Sequence, residues 1–224
     1  MKSQQSGFTL VEIAIVLVII GLLLGGVLKG QELINSAKVK NLANDFRTVQ
    51  TFLYGYQDKF RAIPGDDPKA DTHLASTGGL LITNGNGDGV INGQFNANAG
   101  ESFEFWQQVR LAGLAPGSTD KAVPEFTPRN ADGGIMGIQS GGAVTVQPIA
   151  TLRGTYIYCS SGILGKFAKQ LDTTLDDGNT ATGSVQVRAN ISDNAPFAVQ
   201  ATGTPTTGVG GIDDATPYTV CMGF

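Results

Sequence analysis

The chain has 224 residues, with 15 Lys and Arg against 19 Asp and Glu and a formal charge of −4, which leaves room for one long element and one globular domain. A net acidic charge argues against a phosphate backbone as the main partner, because that work needs a net basic face. The 31 glycines and the 15% share of charged residues describe a domain of turns and short strands, neither fibrous nor disordered.

The N-terminus is short and cationic, Met1-Lys-Ser-Gln-Gln-Ser-Gly7, and the apolar run Phe8 to Leu28 follows it. That run matches the ~20 residues a bilayer-spanning helix needs. A secretory signal would be shorter and closed by an Ala-x-Ala-like site, and none follows here. Lys2 places the extreme N-terminus in the cytoplasm and the remainder across the membrane. Glu12 is the informative residue, because a carboxylate inside a membrane helix costs a few kcal/mol and is usually retained for function. Cleavage between Gly7 and Phe8 would create an α-amino group near it. In a bundle of such helices, Glu12 of one subunit can pair with the amine of another and set axial register. The alternative is a protonated or snorkelling Glu12 near the interface.

Gly7-Phe8-Thr9-Leu10-Val11-Glu12 and the apolar run behind it resemble the processing site of type IV prepilins and type II secretion pseudopilins. The resemblance implies a leader, residues 1–7, removed after Gly7 by a prepilin peptidase that also N-methylates Phe8. It implies that Glu12 guides addition to a helical homo-oligomeric fibre at an inner-membrane assembly platform. The subunit would be a single-pass inner-membrane protein before assembly, and part of a surface pilus or periplasmic pseudopilus afterwards. Many relatives carry a proline where this chain has Lys29; here Gly21, Gly25, Gly26 and Gly30 are the weak points, at ~1 kcal/mol of helicity each.

From Val39 onward, Leu42, Phe46, Val49, Leu53, Tyr56 and Phe60 recur at spacings of three and four, which predicts a helix laying one face on a globular domain. Ile63-Pro64-Gly65-Asp66-Asp67-Pro68 ends it. A rod from Phe8 to Phe60 would be about 80 Å long. The expected organisation is a membrane half at 8–28, an amphipathic stalk half at 29–62 and a head at 63–224. The fold class is α+β and pilin-like: a long N-terminal helix on a C-terminal antiparallel sheet with short helices.

Within the head, Glu101 to Ala112 suits a helix with Trp106 in the core and Gly113 as its stop. Val144 and Val146, Leu152 to Cys159, Val185 to Ala189 and Thr216 to Cys221 read as strands, and Ser160 to Leu171 as a short helix. Cys159 and Cys221 lack metal or redox spacing. They are a disulfide, whose loop of roughly 60 residues is worth about 4 kcal/mol, or two buried thiols. Asn84-Gly-Asn86-Gly-Asp88-Gly-Val90-Ile-Asn92 alternates oxygen donors as in the first half of a calcium loop, with the Val90 carbonyl in the series. The position of the closing Glu in an EF-hand is Phe95, so Glu101 or Glu104 would have to supply that carboxylate. Structural calcium is one reading, and an Asx-rich turn satisfied by its own backbone is the other. Pro64-Gly65-Asp66, this loop, Trp106 and Ala112-Gly113-Leu114 are similar to segments of pilin-like proteins. Asp176-Asp177-Gly178 and Asp213-Asp214 read as solvated turns, and Ala201 to Gly211 as an exposed loop or one ordered by assembly.

Catalysis finds little support. His73 is the one histidine and reads as a surface residue; there is no nucleophile-elbow motif. The expected class is a non-enzymatic filament subunit, with a membrane-anchored adhesin or enzyme as the rival.

Overall fold

The computed structural model describes residues 9–75, 79–142, 148–190 and 211–224. It divides into two units, Met1–Lys38 and Val39–Phe224, and helix α1, Leu10–Phe60, contributes to both. In the first unit the described residues are helical from Leu10, and the helix is unbroken through Gly21, Gly25, Gly26 and Gly30. In the second, Val39, Leu42, Phe46, Val49, Leu53 and Tyr56 are buried, which is the predicted stripe, with Phe60 packed at its end. Phe46 meets Tyr158 edge-on with ring centroids 4.8 Å apart. The helix ends on Arg61 in the left-handed region, φ 57°, with its N–H donating to the Gln57 carbonyl at 2.8 Å. This is the usual helix stop with an arginine where glycine is commoner.

The sheet has four antiparallel strands in the order β1-β2-β4-β3: β1 Met136–Ser140, β2 Tyr156–Leu164, β3 Val185–Ala189 and β4 Pro217–Gly223. Alternation sorts its side chains. Tyr156, Tyr158, Val220 and Met222 join the core beneath α1, while Ile157, Cys159 and Cys221 form a second cluster with Phe95, Ile149 and Leu152. Cys159 and Cys221 are directly opposed on β2 and β4 and form a disulfide. Short helices complete the head: α2 Ala70–His73, α3 Glu101–Leu111 and α4 Gly165–Leu175.

The structure corrects the expected elements in three places. Strand β2 starts at Tyr156 and continues through Ser160 and Ser161, where a helix was expected, so α4 begins only at Gly165. The two serines are small and polar yet buried, because Asn130 Nδ2 donates to Ser160 Oγ and to the Ser161 carbonyl, both at 2.7 Å. Strand β1 was not expected at all, since Gly133, Gly134, Gly137, Gly141 and Gly142 lie in and around it. Gly137 is required there, as a Cβ would fall 1.8 Å from the Phe95 carbonyl oxygen. Val144 and Val146, and Ala201 to Gly210, lie outside the described residues.

Candidate functional site

Two features carry chemistry: the apolar start of α1, and the acidic loop beside the turn that follows α1. Between Leu10 and Leu28 the large apolar side chains are exposed throughout, from 46% at Ile20 to 86% at Leu10. The helix is long and apolar enough to cross a membrane. An exposed ion pair between Lys29 and Glu32, 2.7 Å, marks the end of the run.

At its start, the Thr9 N–H and the Thr9 hydroxyl each donate to Glu12 Oε2 at 2.8 Å. The Glu12 N–H in turn donates to Thr9 Oγ1 at 3.3 Å. This reciprocal pairing is a capping box, which satisfies donors that the first turn leaves free. The Thr-x-x-Glu spacing announces it, but weighing Glu12 only as a membrane charge hides the signal. Glu12 therefore has a local partner in the single chain and one carboxylate oxygen to spare. Gly7 and Phe8 lie outside the described residues.

In the head, the Pro64–Asp66 turn folds onto both α3 and the Asn84 to Asn92 loop. The Gly65 N–H donates to Gln108 Oε1 at 2.7 Å. Asp66, 3% exposed, accepts the N–H groups of Gly87 and Asp88 on Oδ1 at 2.6 and 3.2 Å and that of Gly89 on Oδ2 at 2.8 Å. Glu101 accepts the Asn86 and Asn92 N–H groups, one on each oxygen, at 3.0 and 2.8 Å. Asp88 Oδ1 accepts the Val90 N–H, and Oδ2 accepts the side-chain amides of Asn86 and Asn92. Asp66, Asp88 and Glu101 each offer an oxygen within 4.8 Å of the others, a hard-donor set suited to a divalent cation.

Of the predicted ligands, Asn84 turns away to accept the Asp71 N–H at 2.9 Å. Glu104 lies apart in a two-oxygen pairing with Lys121 at 2.8 and 2.9 Å. Asp66 was missed as a member, because its approach depends on the stalk's end and nothing local to the loop points to it. All six oxygens of the three carboxylates already accept an N–H, and Asp66 and Glu101, from outside the loop, hold five of its backbone amides. A calcium ion there would use the lone pairs left over.

His73 departs from the surface reading. Its Nδ1 is 2.7 Å from Asp67 Oδ2, its ring stacks on Phe60 with centroids 5.4 Å apart, and Tyr56 donates its hydroxyl to the same Asp67 oxygen at 2.8 Å. The trio holds the stalk's end to the following turn and contains no Ser or Cys nucleophile. Asp213 closes its own turn by accepting the Ala215 N–H, and Asp214 pairs with Lys169 at 2.6 Å.

Residues 2–28 match the family model described as the prokaryotic N-terminal methylation motif, the signal of type IV pilins and pseudopilins. No curated protein matches the chain. Motif and fold agree: a processing signal on an exposed apolar helix, and an α+β head whose core includes the helix's second half. Together they fit a pilin-like chain with one helix long and apolar enough to cross a membrane.

Proposed function

We propose that this chain is the structural subunit of a type IV pilus-like extracytoplasmic filament. It is held in the inner membrane as a prepilin, cut after Gly7, N-methylated at Phe8 and polymerised through the apolar half of α1. The observation that carries this reading is the exposed apolar run from Leu10 to Leu28 within the methylation motif. Such a surface is stable in water only when lipid or other copies cover it. The four glycines of this half support helix-to-helix packing, since a Cβ added at Gly21, Gly25, Gly26 or Gly30 would meet nothing within 4 Å in this chain. Small residues four apart, as in Gly21 with Gly25 and Gly26 with Gly30, let neighbouring helices approach closely. The free oxygen of Glu12 is then the acceptor for the Phe8 amine of an adjacent subunit.

The long Gly- and Thr-rich stretches of the sequence, such as Ala201 to Gly211, support a surface fibre over a secretion pseudopilus. N-terminal and intact-mass analysis of filaments sheared from the native host tests the reading. A species starting at methylated Phe8 is expected in the sheared fraction; finding it only in periplasmic or membrane fractions would move the assignment to a pseudopilin. Glu12→Ala is expected to leave membrane insertion intact and to reduce filament yield at least tenfold. Undiminished yield would remove Glu12 from assembly.

A further inference from the structure

Asp172 is fully buried, and neither of its carboxylate oxygens has a hydrogen-bond partner. It occupies the last turn of α4, Asp176 follows the helix's last residue, and Asp177 comes next. A four-residue step puts Asp172 and Asp176 on one helix face. One oxygen from each of the three lies within 4.8 Å of the others. The Gly178 amide is near enough to favour an ionised Asp172 but misses hydrogen-bond geometry.

This placement runs against ordinary helix electrostatics. The C-terminal end of a helix carries partial negative charge on its unpaired carbonyls and usually attracts basic side chains. The last turn of α4 has none, and Lys169, three residues before Asp172, is taken by Asp214. Among the described residues, no Lys, Arg or His pairs with any of the three carboxylates. Burial, followed by Asp177 and Asp176, pushes the Asp172 carboxyl up to about 7, the direction expected of a site short of positive charge.

We propose that Asp172, Asp176 and Asp177 bind one calcium ion, whose shell peptide carbonyls and water complete. The dimensions fit, because two oxygens each about 2.4 Å from a shared ion are at most about 4.8 Å apart. An all-oxygen, anionic donor set selects a hard dication over zinc or copper. The contrast with the Asp66 loop favours this cluster, since every carboxylate oxygen there accepts an N–H, whereas here Asp176 Oδ2 and both Asp177 oxygens accept bonds and both Asp172 oxygens accept none. The ion also has a structural task. Asp176 Oδ2 accepts the N–H of Val185 at 2.9 Å, the first residue of edge strand β3, so a bound ion ties the end of α4 to the sheet's edge.

The test is calorimetric melting of the full-length protein in detergent micelles, stripped with chelator and titrated with CaCl2 or MgCl2. Calcium a hundredfold above its Kd should raise the Tm by about 5 °C or more in the wild type and in Asp88→Asn, but not in Asp172→Asn. Stripped Asp172→Asn should melt no lower than stripped wild type, since the change removes one of three converging like charges. Asp177→Asn, at an exposed ligand, should fold normally and weaken calcium binding at least tenfold. No gain in the wild type, a full gain in Asp172→Asn, a gain lost only in Asp88→Asn, or a response to magnesium alone would each overturn the proposal.

Discussion

Asp66 Oδ2 accepts the Gly89 N–H at 2.8 Å across 23 positions of sequence, so a carboxylate in the turn that ends α1 closes a loop in the head. Gly85 shows how close the approach is, since a Cβ there would sit 2.3 Å from Asp66 Cα. Asp66→Ala leaves the Gly87 and Gly89 N–H groups without their acceptor, while the Asp88 N–H keeps Asn86 Oδ1 at 2.9 Å. Gly87 and Gly89 are exposed residues whose amides can regain water, so the cost should be about 2–3 kcal/mol, less than two full charge-assisted bonds. Urea unfolding of the full chain in micelles checks this, and a loss under about 0.5 kcal/mol would mean that the loop holds its shape without Asp66.

Legibility in the sequence followed the range of the interaction. The α1 stripe and strand β3 were readable because their periodicity is local, and Pro64 with the residues before it fixed the helix end. Strand β1 was hidden by Gly137, which is there to admit the Phe95 carbonyl from a distant loop. The run through Ser160 and Ser161 was hidden likewise, because Asn130, some thirty residues earlier, makes buried serines tolerable. The acidic loop was visible as a string of oxygen donors, but Asp66 arrives from the stalk turn and Glu104 leaves for Lys121; neither move is written in the loop itself. The Asp172 cluster was half visible. Asp176 and Asp177 are adjacent, but only the four-residue helical step brings Asp172 to them, and burial cannot be read from the residue type.

The disulfide gives a second prediction. Cys159 and Cys221 stand opposite each other on β2 and β4, 62 positions apart in sequence, and their bond caps the face that holds Phe95, Ile149 and Leu152. The strands already pair, so reduction should destabilise the head without rearranging it. Chain-entropy arguments put the loss at about 4 kcal/mol. Melts with and without reductant, and of the Cys159→Ala/Cys221→Ala double variant, check it. A double variant within about 1 kcal/mol of wild type would show that strand pairing and the Phe95 cluster suffice alone.

Asp45 gives the chain a defined pH dependence. It lies half-buried on α1 in a groove lined by Trp106, Met136 and Tyr158, and burial raises its carboxyl from 3.8 to about 6. The folded state therefore holds this proton more tightly than the unfolded chain does. The stabilising contribution is complete below about pH 3.8 and is lost as pH rises through about 6, after which the ionised group is a constant penalty. Asn in place of Asp45 resembles the protonated form at every pH. Asp45→Asn should match wild-type stability near pH 4 and exceed it above pH 7, with the difference growing between. Paired urea unfolding curves across that range isolate Asp45, since the other titrating groups are common to both proteins. A difference that stays flat with pH would show that the carboxylate finds water or a cation in the groove and that burial does not govern it.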